Sequence, residues 1–357
     1  MIKAARIALA MILLLSASAI TLGGDRPREE ISLLFSGDVM LDWGIRDVVE
    51  REGHGFPLRR IRGFLSGFDY RFFNLECPIS DAGEPHVDKK YIFNVPSAMV
   101  RVLTDGGFNG AMLANNHMFD FGNTALLSTI SNLNSAGILT AGAGIDADIA
   151  SLPILVERDG ISVAVFSFTN LGYRDAYAAA NSPGVARASL EAMRRSIEQF
   201  RRFTDFAVVN IHWGDEYTNY PSDEQVELGR ALIDAGADAV IGHHSHVYQG
   251  VEVYRGKPIV YSLGNFLFGS INEDIRDNIV VALDFGRHGL ASLRVFAISG
   301  NTASHPFQPA RITGKDAESV LAHVLEISRP LKSDFPKKAA LTDSALVYRF
   351  EVTEKKP

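Results

Sequence analysis

Ala239-Val240-Ile241-Gly242-His243-His244-Ser245-His246 takes a short apolar strand straight into three histidines. In extended chain, residues i and i+2 face the same side, so His244 and His246 can grip one metal ion or two adjacent ones. Standing alone, such a His-x-His pair is more often a solvated turn or a cluster beside a core histidine. Its surroundings shift the balance toward metal. Residues 206–211 read as a strand ending at His212-Trp213-Gly214, and residues 223–235 read as the helix leading to the next strand. Both strands of this unit therefore deliver histidine at their ends, where the loops of α/β sheets collect ligands.

The same arrangement recurs toward the N-terminus. Residues 31–35 form an apolar run stopped by Ser36-Gly37-Asp38. Phe72-Phe73-Asn74-Leu75 ends at Glu76, and Ala111-Met112-Leu113-Ala114 ends at Asn115-Asn116-His117. Residues 124–136 carry Leu126, Leu127, Ile130 and Leu133 at helical spacing, closed by Gly137. Residues 154–157 and 162–168 flank Asp159-Gly160, a hairpin signal. Residues 189–203 read as a helix, and residues 173–188, rich in Ala, Asn and Pro, as a surface excursion. From Val251 onward short strands dominate, at 251–254, 259–262, 278–285 and 293–298. Strand–helix units followed by antiparallel strands predict an α/β protein with a mixed sheet or two packed sheets.

Two carboxylates stand where the histidines do, Asp38 after the first strand and Glu76 after the second. Gly-Asp after a strand is by itself often only a turn. A glutamate closing an apolar strand needs a partner for its buried charge; a divalent cation is one, Arg71 or a nearby lysine another. Asn116 offers a hard amide oxygen, and His117 an imidazole that serves as ligand or acid. Asp120 suits either a hydrogen bond fixing the His117 tautomer or the N-cap of the helix opening near Thr124. Trp213 and Tyr217 either line a substrate wall or simply pack.

The chain has 357 residues, 46% hydrophobic and 22% charged, with a net charge of −7. Lys3 and Arg6 precede an apolar run over residues 7–15 and then Ser16-Ala17-Ser18-Ala19, the pattern of a secretory signal peptide over residues 1–19. An uncleaved anchor competes, because Ile20 and Leu22 prolong the apolar character, but the unbroken run is short of the ~18–20 residues a span needs. The expected location is exported, periplasmic or extracellular, with membrane anchoring if the signal is retained. A charged linker (20–30), a main domain (31–327) and a C-terminal extension (328–357) complete the organisation. The acidic balance excludes non-specific nucleic-acid binding. Cys77 is the only cysteine, so an exported chain has no intrachain disulfide. Neither a Gly-x-x-x-x-Gly-Lys phosphate loop nor a Gly-x-Ser-x-Gly elbow is present.

In order, Ser36-Gly37-Asp38-Val39-Met40-Leu41, Asn74-Leu75-Glu76, Ala114-Asn115-Asn116-His117 with Asp120-Phe121-Gly122, and His212-Trp213-Gly214 with Glu216-Tyr217 form a set. Gly242-His243-His244-Ser245-His246-Val247 and Tyr261-Ser262-Leu263-Gly264-Asn265-Phe266 complete it. Together they resemble the CapA family of poly-γ-glutamate capsule biosynthesis proteins, a branch of the calcineurin-like metallophosphoesterase superfamily. The resemblance implies a two-sheet α/β/β/α sandwich with a one- or two-metal centre at the sheet edge. It implies metal ligation by Asp38, Glu76, Asn116, His212, His244 and His246, and a general-acid role for His117 assisted by Asp120. Mn, Fe, Zn or Mg suits such a ligand set. Met40 departs from the superfamily pattern by standing where the first motif has histidine, which weakens one of two sites. Asp42-Trp43 departs where the family often has a small residue and arginine. The expected activity is hydrolysis of a phosphoester or an envelope-polymer bond. The alternative is a non-catalytic component that binds poly-γ-glutamate or a similar polyanion during assembly or export. A fold retaining the motifs without metal is a third reading. The expected partner is an anionic small molecule or such a polymer, with a membrane-bound biosynthetic complex as a further candidate.

Overall fold

Leu33 and Phe35 turn to one side of the first strand and Leu34 to the other, and this alternation organises the whole molecule. The computed structural model describes residues 30–86, 90–270, 277–300, 305–342 and 344–351. The expected signal peptide (1–19), most of the linker (20–30) and the last six residues of the extension lie outside them. Among the described residues the larger sheet has ten strands. Its centre is Asp277–Gly286, Glu30–Met40, Tyr70–Leu75, Gly110–Met112 and Leu139–Ala141, the last four parallel. The smaller sheet orders its six strands as Val251–Tyr254, Lys257–Val260, Ala239–His243, Phe206–His212, Ile161–Thr169 and Ile154–Arg158.

Three apolar layers follow from the alternation. Leu33, Phe35 and Phe72 from the larger sheet meet Val163, Val165, Val208 and Ile241 from the smaller one, forming the core between sheets. Leu34, Phe73 and Ala111 face the other way, onto helices that include Val100–Gly106 and Gly122–Ser135. Ala164, Phe166, Val209 and Val240 face Leu190–Phe200 and Asp223–Asp234. The result is a helix–sheet–sheet–helix sandwich. At about 1.5–3 kcal/mol per fully buried large apolar side chain, such layers dominate its stability.

Local chemistry sets several element ends. Asp159 (φ 51°) and Gly160 (φ 76°) make the tight turn between Ile154–Arg158 and Ile161–Thr169. Ser222 and Gln225 form a capping box at the start of Asp223–Asp234. Two segments differ from the sequence pattern. The first strand continues through Ser36-Gly37-Asp38 to Met40 instead of stopping there. Its pairing with Tyr70–Leu75 slips between Phe35 and Asp38, a bulge that re-aims the following side chains. The 173–188 excursion returns inward, because Gly184–Val185 pairs with Ala143–Gly144 and Val185 is fully buried. Past residue 327 the chain still belongs to the sandwich: Ala345–Arg349 pairs with Gly289–Ser299, and Phe335, Leu346 and Tyr348 enter the core between sheets. No helix among the described residues is long and apolar enough to cross a membrane.

Candidate metal centre

Gly37 is where the site begins. A Cβ there would meet the Gly264 carbonyl oxygen at 1.8 Å, so only glycine lets the two backbones touch. The contact is fixed by the Asp38 N–H donating to Gly264 O (3.0 Å), and it seats Asp38 beside Asn74 and Asn265. The Asp38 carboxylate is fully buried and accepts from Asn74 Nδ2 (2.9 Å) and from the His244 backbone N–H (3.2 Å). His243 Nδ1 lies 3.2 Å away and His246 Nδ1 3.9 Å. Burial alone would raise the Asp38 carboxyl; the His243 hydrogen bond, the charges of His243 and His246 and the Asn74 amide outweigh it and hold it below the usual range.

Asp38, Glu76 and His212 converge, each offering a ligand atom within 4.8 Å of the others. All three are buried, Asp38 near the end of Glu30–Met40, Glu76 just after Tyr70–Leu75 and His212 as the last residue of Phe206–His212. Glu76 is not bridged to Arg71, whose guanidinium is spent on Asn109 Oδ1 and Phe68 O. It lies instead 3.6 Å from His212 Nδ1 and accepts from Asn74 Nδ2 (3.0 Å). His212 Nε2 pairs with Asn116 Oδ1 at 2.9 Å. That pairing makes Nε2 the donor and turns the Nδ1 lone pair toward the carboxylates. Burial, then the neighbouring His244, His243, His246 and His117, push the His212 pKa well below its ordinary value. Burial and His246 likewise lower His244 to about 4. Neutral imidazoles are the form that binds metal.

The remaining predicted residues surround this trio. The His244 ring is 4.7 Å from the His212 ring and 6.0 Å from that of His246. His246 Nδ1 is tied to Asn265 Oδ1 at 2.9 Å. Asn116 Oδ1 meets the His212 ring at Nε2, and Asn116 shares a pocket wall with His244. His117 Nδ1 meets Asp120 Oδ2 at 2.9 Å, and the same oxygen takes the Phe93 N–H at 2.9 Å. Asp120 therefore does not cap the next helix, whose N-cap is Phe121. Met40 is fully buried in the helix-side core, its sulfur accepting the Asp42 N–H at 3.2 Å. Trp213 is packed away, its Nε1–H bonded to Tyr261 O, whereas Tyr217 is exposed.

Sequence reasoning missed Asn74 as a site residue. Its amide nitrogen touches Asp38, Glu76 and, at 3.2 Å, His212 Nδ1, and Asn115 Nδ2 fixes its orientation by donating to Asn74 Oδ1 at 3.1 Å. Strand alternation could have found it, since Asn74 and Glu76 are two residues apart. A divalent ion fits this group. Two fully buried carboxylates face neutral imidazoles, and the buried His244 Nδ1 has no hydrogen-bond partner. Two exposed aromatic residues flank the centre in positive-φ backbone, Trp43 (φ 56°) and Tyr217 (φ 60°), a conformation costing about 1–3 kcal/mol each.

Residues 32–270 match the family described as bacterial capsule synthesis protein PGA_cap. The PGA biosynthesis protein CapA of Bacillus subtilis (strain 168) is 32% identical over 276 residues, 77% of this chain and 73% of that protein. The capsule biosynthesis protein CapA of Bacillus anthracis is 31% identical over 281 residues, 77% of this chain and 68% of that protein. Among solved structures, a calcineurin-like phosphoesterase, YfkN from Bacillus subtilis, covers 79% of this chain and 90% of its own, with 12% identity and a TM-score of 0.43. A putative 5′-nucleotidase from Staphylococcus aureus covers 83% of this chain, which spans 58% of the nucleotidase's length, with 13% identity and a TM-score of 0.46. With the family match over most of its sandwich, the chain belongs to the CapA family of bacterial capsule synthesis proteins.

Proposed function

We propose that this chain is an exported, metal-dependent hydrolase that cleaves a phosphoester or an envelope-polymer bond in capsule metabolism. The observation carrying the reading is the meeting of Asp38, Glu76 and His212 beside the His117–Asp120 pair. Asp38, Glu76, His212 and His244 would hold a divalent ion, with Asn116 and His246 close by; Mn, Fe, Zn or Mg suits mixed oxygen and imidazole donors. Such an ion supplies Lewis acidity toward an anionic oxygen and toward water. The chain's own residues do the rest. Asp38 and Glu76 provide the compensating negative charge, and Asn74 orients both carboxylates. Because Asp120 holds His117 Nδ1, delivery of a proton to the departing oxygen falls to Nε2.

Export rests on the Lys3 to Ala19 pattern, and an envelope-polymer partner such as poly-γ-glutamate rests on the names of the relatives. A second reading, non-catalytic binding of a polyanion within a membrane-bound biosynthetic complex, is favoured by Met40 at the first-motif histidine position. One variant separates the two. His117→Ala should keep fold and metal yet lose about 10²–10⁴-fold in turnover of esters with poor leaving groups, and less with good ones. Metal-dependent turnover surviving regardless of leaving group removes the acid role. Wild-type protein that retains poly-γ-glutamate on a column but turns over no phosphoester or γ-glutamyl substrate removes the hydrolase.

A further inference from the structure

Tyr261-Ser262-Leu263-Gly264-Asn265-Phe266 carries the chain from the smaller sheet to the larger one, past the metal centre. Before it, Lys257–Val260 pairs with Ala239–His243; at its end, Asn265–Phe268 runs parallel to Glu30–Met40. Between the two the segment clasps the histidine loop. The Leu263 N–H donates to Gly242 O (3.2 Å), the Asn265 N–H to His246 O (3.4 Å), and the Gln249 N–H to Ser262 O (3.1 Å). Gly264 makes the bend: its φ is 72°, and a Cβ there would meet Asn278 Oδ1 at 1.9 Å. Its carbonyl takes the Asp38 N–H, so Gly264 and Asn265 together touch both walls of the centre.

Asn265 also reaches the His246 ring. The residue is buried, and its Oδ1 lies 2.9 Å from His246 Nδ1. An amide oxygen only accepts, so Nδ1 is the donor and carries the proton of the neutral ring. The lone pair is then on Nε2. Packing keeps the ring in this orientation: Phe268, at the end of the same strand as Asn265, meets it edge-on at 4.9 Å, and the Tyr217 ring lies at 5.6 Å. The His246 backbone has positive φ (59°), and the Asn265 N–H holds its carbonyl. One residue thus fixes the backbone and the ring of His246 together.

We propose that Asn265 is the positioning residue of His246: it fixes the Nδ1–H tautomer, so that this histidine offers Nε2 to a metal ion at the centre. The inference rests on reading the centre as a metal site and is independent of whether that site hydrolyses anything. A histidine that ligates a metal gains from an acceptor on its other ring nitrogen, which orients the ring and raises its basicity. His212 shows the same device in mirror image. Asn116 Oδ1 ties its Nε2 and leaves Nδ1, whereas Asn265 Oδ1 ties His246 at Nδ1 and leaves Nε2.

Long-range proton–nitrogen NMR of metal-free protein labelled with ¹⁵N-histidine reads the tautomer directly, His246 being assigned by its absence from His246→Gln. At pH 8, where an ordinary imidazole is neutral, wild type should show Nδ1–H. Asn265→Asp keeps an acceptor and should show the same, whereas Asn265→Leu should lose the preference. In competition with a chelator, Asn265→Leu should bind Zn²⁺ about ten-fold more weakly than wild type, and Asn265→Asp at least as tightly as wild type. The proposal is overturned if wild-type His246 carries its proton on Nε2, a result that needs no Asn265 variant to fold. It is also overturned if Asn265→Leu binds Zn²⁺ as wild type does, or if Asn265→Asp weakens binding as much as Asn265→Leu. Wild type that shows Nδ1–H but takes up no Zn²⁺ sinks the metal reading and the role of Nε2 with it. Zn²⁺ uptake without turnover of any ester sinks the hydrolase alone.

Discussion

The wall of the centre contributed by the larger sheet is made of oxygens and amides, and the wall contributed by the smaller sheet is made of imidazoles. Asp38 and Asn74 lie in strands of the first and Glu76, Asn115 and Asn116 follow its strands; His212, His243, His244 and His246 end or follow strands of the second. The difference is electrostatic. The oxygen wall buries two carboxylates completely, while burial keeps His212 and His244 neutral near pH 7. These two imidazoles therefore lend donors but no charge, and a divalent ion would supply what the pair of walls lacks. Such an ion would also bind the sheets to each other across their shared edge.

The largest effect should come from that ion. Saturation with Mn²⁺ or Zn²⁺ at a thousandfold excess over Kd should add about 4 kcal/mol to stability, several degrees in Tm, against protein in chelator. Asp38→Asn should abolish the gain and melt below wild type in chelator, because the fold holds the Asp38 carboxyl below its usual range and so draws stability from the charge that the variant lacks. Melting of wild type that ignores metal would break the contrast between the walls.

Acid should separate them in chelator. The folded-state pKa of His244 is lowered from 6.5 to about 4, so below pH 6.5 the unfolded chain takes the proton first. Its stabilisation is complete above pH 6.5 and is lost as pH falls toward 4, by about 3 kcal/mol. His212 shifts in the same direction. Asp38, lowered as a carboxylate from 3.8, contributes above that value and loses its contribution only below it. A urea series from pH 7 to 4 should therefore report the imidazole wall, and His244→Ala should flatten it. A flat wild-type profile would contradict the assignment.

The smallest effect sharpens the role of the unforeseen residue. Asn74→Leu leaves Asp38, Glu76 and His212 Nδ1 without their common donor, a loss of about 1–3 kcal/mol in chelator. Bound metal should reduce that loss, since the same atoms then face a cation. An equal loss with and without metal would make Asn74 a packing residue only.

Much of this was readable locally. The apolar runs and the polar residue closing each one place Asp38, Glu76, His117, His212 and His244 at strand ends, because strand burial and loop chemistry are properties of a few consecutive residues. The hairpin at Asp159-Gly160 and the helices at Gly122–Ser135 and Asp223–Asp234 were equally legible, since backbone φ and helical spacing depend on near neighbours. Other features were not. Asn74 looks like an interior strand residue until Asp38 and His212 are set beside it. Asp120 suits a cap or a ring partner until Phe93 arrives at its carboxylate. The sequence by itself determined which chemical groups stand at the ends of which strands. Only the tertiary structure decided that oxygens and imidazoles face each other from different sheets, because that depends on long-range register. Within the larger sheet, the touching backbones of Gly37 and Gly264 and the bulge before Asp38 seat that carboxylate, and no local pattern encodes either.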